Sequence, residues 1–113
     1  MSEEQRRHRR IEVEVAGEIA LDGDVLGAST QNLSDGGVAL VLDRDVADGR
    51  SVTVTLFLTQ DGIEDPDQEP FEAPAVVRWS ADRDDGLFLV GLQFGALDAA
   101  AQKRLQHFLK TIS

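Results

Sequence analysis

From Ile11 to Val15 apolar and charged residues alternate, Ile-Glu-Val-Glu-Val, which is the two-residue period of a strand with one wet face. The same parity resumes at Ile19 and Leu21, which places Gly17 as a bulge between them. Asp22-Gly23 is a hairpin signal. A weaker strand is expected from about Val25 to Leu33, ended by the turn Ser34-Asp35-Gly36-Gly37. Val38 to Leu42 is the longest unbroken apolar run and reads as a strand buried on both faces. Asp43 to Arg50 is polar and is expected to loop. Val52, Val54, Leu56 and Leu58 then alternate with Thr53, Thr55 and Phe57.

Residues 59–70 carry five acidic residues and two prolines, the composition of a mobile hairpin loop. Phe71, Ala73, Ala75, Val77 and Trp79 form the next alternating face, and Asp82-Arg83-Asp84-Asp85-Gly86 turns the chain into a strand from Leu87 to Phe94. Only then does the period change. Leu97, Ala101, Leu105, Phe108, Leu109 and Ile112 fall on one face of a helix of about 98–112, with Asp98 as its N-cap. Short strands separated by turn signals indicate a mainly β fold, a small antiparallel barrel or sandwich. The terminal helix would lay its apolar stripe over an open side or end of the sheet.

Length sets this as one domain, since 113 residues supply a single core and not two. Residues 1–10 are expected to be a flexible basic arm and 11–113 the folded unit. With 42% apolar residues the chain is not disordered as a whole. The absence of cysteine removes a disulfide framework, a thiolate zinc site and a cysteine nucleophile. The apolar run of Val38 to Leu42 is far too short to cross a bilayer. Nothing apolar follows the opening Glu3, Glu4 and arginines, so no signal peptide is visible. A cytoplasmic protein without membrane insertion is the expectation.

Charge is unevenly distributed. The net charge is −10, yet four of the basic residues lie within Arg6-Arg7-His8-Arg9-Arg10. From Ile11 onward there are seven basic and nineteen acidic residues, a net of −12. Such a body repels DNA, RNA and anionic lipid at long range. A short basic arm on it can still hold a small anion, because contact geometry then outweighs the distant field.

Most enzyme chemistry fails on inventory, and no enzyme is expected. His8 and His107 sit in no zinc-ligand or H-E-x-x-H pattern, and no metal is expected. Gly36-Gly37 belongs to no phosphate-binding loop, and no G-x-S-x-G occurs. The acids of Asp82 to Asp85 read as solvated turn residues. Asp61, Glu64, Asp65, Asp67 and Glu69 lack the spacing and central glycine of a calcium loop.

Two constellations remain. Arg6 and Arg10 stand four apart, on one side of the arm whether it is helical or extended. An arginine fork donates two parallel hydrogen bonds to phosphate or to the O6/N7 edge of guanine, and its face stacks on a base. Taken alone, a solvated basic tail explains the run equally well. The second is Asn32-Leu33-Ser34-Asp35-Gly36-Gly37. The Asn32 amide offers donor and acceptor together, which matches a base edge. Ser34 can bond backbone and ligand, while Gly37 permits either a positive φ or a close approach. Hairpin punctuation without function accounts for the same residues.

In combination the two resemble the paired signature of the PilZ family, R-x-x-x-R at Arg6 and Arg10 followed by [D/N]-x-S-x-x-G at Asn32, Ser34 and Gly37. The likeness extends over nearly the whole chain, with Val76-Val77-Arg78-Trp79 and Val90-Gly91-Leu92-Gln93-Phe94 similar to the family's two closing strands. Gln5 replaces another arginine before Arg6, a departure that bears on whether one ligand or an intercalated pair is bound. The resemblance implies a six-stranded antiparallel β-barrel with a C-terminal helix, acting as a receptor for cyclic di-GMP and using no cofactor.

By that resemblance Arg6 and Arg10 would grip phosphate and guanine, with Arg7 and then Arg9 adding charge or stacking. Asn32 and Ser34 would read a guanine edge, and Gly36-Gly37 would shape the turn. Trp79 resembles an aromatic position beside the pocket in some members, although a core position on its alternating face fits as well. Ligand would order the arm against the barrel and remodel a surface for a protein effector. The competing reading is a ligand-independent protein–protein adaptor. A nucleic-acid-binding barrel is disfavoured by the acidic body and by a complement of five Phe, one Trp and no Tyr.

Overall fold

The computed structural model describes residues 11–58 and 70–112. The arm of residues 1–10 and most of the acidic loop expected at 59–70 lie outside the described residues. Seven strands and one helix follow in order: β1 (Ile11–Glu12), β2 (Ala16–Leu21), β3 (Asp24–Leu33), β4 (Gly37–Leu42), β5 (Ser51–Leu56), β6 (Phe71–Asp82), β7 (Phe88–Phe94) and α1 (Ala99–Ile112). All pairings are antiparallel. The sheet runs β1-β3-β2-β5-β6-β7-β4, and pairing of β4 back onto β3 closes it. Strands β2 to β7 therefore form the expected six-stranded barrel, which leaves no long free edge. The seventh strand, β1, is a two-residue extension beside the end of β3.

That extra strand corrects the sequence reading. The alternating segment Ile11 to Leu21 was expected to bulge at Gly17, but Gly17 pairs regularly with Ala28 and Leu56. The interruption falls instead at 13–15, where the buried Thr30 hydroxyl replaces a ladder bond. The Val15 N–H donates to Thr30 Oγ1 at 2.9 Å, and that hydroxyl donates onward to the Val13 carbonyl at 2.5 Å. A polar side chain inside a core requires such partners, because an unsatisfied hydroxyl there costs about 1–3 kcal/mol.

The core follows the alternation. Val52, Val54 and Leu56 on β5, Phe71, Ala73, Ala75 and Val77 on β6, and Val90, Leu92 and Phe94 on β7 are buried together. Phe71 and Phe94 meet edge to face with ring centroids 5.2 Å apart, the arrangement aromatic quadrupoles favour. Asp98 caps α1 as expected, its Oδ1 accepting from the Ala101 N–H at 2.7 Å. Ala101, Leu105 and Phe108 point into the core, with Leu97 and Leu109 partly buried against it. Among the described residues no helix is long and apolar enough to cross a membrane.

Candidate functional site

Two bulges decide which side chains face outward. Along β3, Thr30 pairs with Leu40 but Asn32 pairs with Ala39, so Gln31 is the extra residue. Along β6, Val77 pairs with Leu92 but Trp79 pairs with Gly91, so Arg78 is the extra residue. A bulge reverses which face the following positions occupy. Trp79 would continue the buried face of Phe71 to Val77 by simple alternation. The Arg78 bulge turns it out, and it is half-buried on the barrel exterior. The alternative that placed it in the core is thereby corrected.

The same registers set a row of residues across the outside of the barrel. Glu12 on β1 pairs with Asn32 on β3, Asn32 with Ala39 on β4, Ala39 with Gly91 on β7, and Gly91 with Trp79 on β6. Partners directly opposite in antiparallel strands share a face. From Asn32 to Trp79 the row crosses three strand intervals, about 14 Å. Ala39 and Gly91 keep its middle low, with the indole of Trp79 lying over Gly91. A Cβ on Gly91 would come within 2.2 Å of the indole carbon Cε2 and 2.3 Å of Nε1. These two small residues were not singled out as site residues from the sequence. The readable signal was a glycine inside a strand, which often marks a close approach.

Gly91→Ala is accordingly expected to push the indole off the barrel while leaving the fold intact, at about 1–3 kcal/mol of stability. Because Trp79 is the one tryptophan, its fluorescence reports this directly. The emission maximum should move to longer wavelength. An unchanged spectrum and melting temperature would contradict the placement.

The turn after β3 is held by Ser34, which is buried with 6% of its surface exposed. Its N–H donates to the Gly37 carbonyl at 2.9 Å. Its Oγ accepts from the Gly36 and Gly37 N–H groups, each at 3.2 Å, and donates to the Gly37 carbonyl at 3.4 Å. Ser34 thus bonds the backbone of its own turn through both its N–H and its Oγ. The Gly36 carbonyl accepts from the Phe94 N–H at 3.0 Å. Gly37 is needed for close approach and not for a positive φ. The left-handed glycines among the described residues are Gly23, Gly49 and Gly86, whereas a Cβ on Gly37 would lie 2.3 Å from the Leu92 carbonyl oxygen.

Asn32 and Ser34 are therefore brought together with Gly36, Gly37 and, across the row, Trp79. Arg6, Arg7, Arg9 and Arg10 lie outside the described residues. The point from which they extend is nevertheless fixed, since Ile11 pairs with Leu33.

A second feature was not foreseen. Arg83, at the β6–β7 hairpin, bonds from Nη1 to Gln31 Oε1 at 3.4 Å and pairs from Nη2 with Asp85 at 3.0 Å. The Leu87 N–H donates to Asp85 Oδ1 at 3.1 Å. That hydrogen bond, with help from Arg83, holds the Asp85 carboxyl below its ordinary pKa. Among the described residues no group of three His, Cys, Asp or Glu side chains is placed to hold a metal ion.

Comparison with family models gives one described as PilZ domain, matched over residues 4–111. Comparison with curated protein sequences gives no match. Similar solved structures include the Bacillus subtilis inhibitor of motility MotI/DgrA, at 21% identity and TM-score 0.75, covering 96% of this chain and 51% of that one. The PilZ domain of Escherichia coli YcgR with c-di-GMP is 16% identical with TM-score 0.74, covering 95% and 90%. The K. pneumonia MrkH–c-di-GMP complex is 16% identical with TM-score 0.72, covering 95% and 52%. The chain spans about half the length of MotI/DgrA and of MrkH. At these identities the likeness establishes the fold.

Proposed function

Because this chain belongs to the PilZ domain family, we propose that it is a receptor for cyclic di-GMP, bound between the arginine arm and the outward row from Asn32 to Trp79. The observation that carries the reading is the pairing of Ile11 with Leu33. It sets Ile11, where the arm begins, beside Leu33 between Asn32 and Ser34, which supports one ligand shared by the two halves of the signature. Two of the similar structures contain c-di-GMP by their own descriptions, which supports the choice of ligand.

The division of labour follows from the chemistry of each group. Arg6 and Arg10 supply forked donors for phosphate and for the O6/N7 edge of guanine, with Arg7 and Arg9 adding charge. The Asn32 amide presents a donor and an acceptor to a base edge. Ser34 and Gly36-Gly37 keep the turn rigid, which limits the entropy lost on binding. Trp79 offers a ring face at the far end of the row, suited to stacking. Ligand supplies the countercharge that brings the arm onto the barrel, and the new surface is what a protein effector reads.

Titration calorimetry of the full chain should show micromolar or tighter affinity. Only two phosphates are neutralised, so log K should fall with log salt with a slope no steeper than about −2. No heat from a folded sample, together with retention by a protein partner regardless of nucleotide, would point to the adaptor instead. A slope as steep as that of a protein gripping six or more phosphates would also count against the receptor.

A further inference from the structure

Beside the row lies an open cleft of about 570 Å³, within the range of small-ligand sites. It sits between the 12–14 segment and the β6–β7 hairpin, and its lining includes Glu12, Gln31 and Arg83 together with Ser29, Val41 and Leu87. Glu12 belongs to both features, since it is the register partner of Asn32. From Ala39 in the row to Val41 in the cleft is two residues along β4, about 7 Å. A ligand seated on the row with a second arm to place has this cleft as its immediate neighbour.

The walls have a definite chemistry. The Arg83 guanidinium is anchored before any ligand arrives, through Asp85 at 3.0 Å and Gln31 at 3.4 Å. Its backbone is fixed as well, the Arg83 N–H donating to the Leu87 carbonyl at 2.9 Å and its carbonyl accepting from Gly86 at 3.3 Å. A forked donor and carboxylate acceptors lining one cleft suit a flat group with paired acceptors on one edge and paired donors on the next. Guanine is that group, with O6 and N7 as acceptors and N1–H and N2–H₂ as donors. Adenine turns an amino donor toward the arginine and is mismatched. A phosphate is disfavoured by Glu12 and Glu14, which line the same cleft.

We propose that this cleft takes the second guanine of the same cyclic dinucleotide, Arg83 donating to its O6/N7 edge and Glu12 accepting from its N1–H and N2–H₂. The inference rests on the receptor reading above and adds a specificity residue to it. Arg83 then makes the protein demand two guanines and not one. Its side chain is 36% exposed, so removing it leaves the core untouched.

The test compares cyclic di-GMP with the mixed 3′,3′-cyclic GMP–AMP, by calorimetry on the full chain and on Arg83→Ala and Arg83→Lys. The parent protein should prefer cyclic di-GMP by tenfold or more, the worth of one bidentate base contact. Arg83→Ala should lower that ratio by about tenfold, the part read by Glu12 remaining, and should do so by weakening cyclic di-GMP alone. Arg83→Lys keeps the charge but loses the fork and should recover only a small part. A parent ratio near one, or a ratio unchanged in Arg83→Ala, overturns the cleft assignment and leaves the receptor standing. A parent protein that binds neither nucleotide removes the receptor reading itself, and the cleft assignment with it.

Discussion

Arg10→Ala should weaken cyclic di-GMP binding by well over tenfold while leaving the melting temperature where it was. Losing one partner of a desolvated, charge-assisted contact costs on the order of 2–5 kcal/mol, much of it from the partner left unpaired. Arg10 is the arm residue next in sequence to Ile11, which pairs with Leu33 beside Ser34. Arg10→Lys separates charge from geometry. A lysine keeps the attraction to phosphate but cannot present two parallel donors, so it should restore only part of the lost affinity. Calorimetry on the three proteins at one salt concentration measures this. An Arg10→Ala protein with parental affinity would detach the arm from the site.

Gly37→Ala is expected to damage the fold and the site together. The added methyl would stand 2.3 Å from the Leu92 carbonyl oxygen, an atom of the β7 backbone that cannot swing aside as a side-chain tip can. Gly37 pairs with Gln93 at the end of β4, and its N–H and carbonyl both bond to Ser34. Relief of the clash therefore requires β4 to move off β7 or the Ser34 turn to open. Overpacking of this kind costs about 1–3 kcal/mol, occasionally more. In a domain of this size each kcal/mol lowers the melting temperature by roughly 4–8 °C. Gly27→Ala is the control, since nothing lies within 4 Å of the new methyl and its effect should be near zero. Thermal melts of the two variants decide the matter, and equal melting temperatures would contradict the close approach.

How much of this was legible beforehand differs by element. The alternating runs of Val52 to Leu58 and Phe71 to Val77, the Asp22-Gly23 hairpin and the Asp98 cap are local patterns, and each was readable. Asp22 and Gly23 do adopt the positive φ values, 53° and 86°, that such a turn needs. The break at 13–15 was not readable. It depends on the Thr30 hydroxyl arriving from a partner strand, and nothing within Ile11 to Leu21 announces that. The bulges at Gln31 and Arg78 are likewise products of pairing, and the one at Arg78 determines that Trp79 faces out.

The site divides in the same way. Asn32, Ser34 and Gly37 lie close in sequence at a turn and could be singled out there. Ala39 and Gly91 could not, because a small residue in a strand carries several meanings until its neighbours across the sheet are known. Arg83 sits within a run of acids that reads as a solvated turn. Its partner Gln31 is fifty-two residues away, so only the closed barrel brings the two together.

One experiment weighs the union of arm and turn most directly: amide NMR of the full chain during stepwise addition of cyclic di-GMP. Resonances from residues 6–10 and from Asn32 to Gly37 should shift on a single isotherm and saturate together. A well-folded spectrum in which the turn stays still while the arginines drift without saturating would contradict a shared pocket, and leave the arm as a loose anion patch on an acidic barrel.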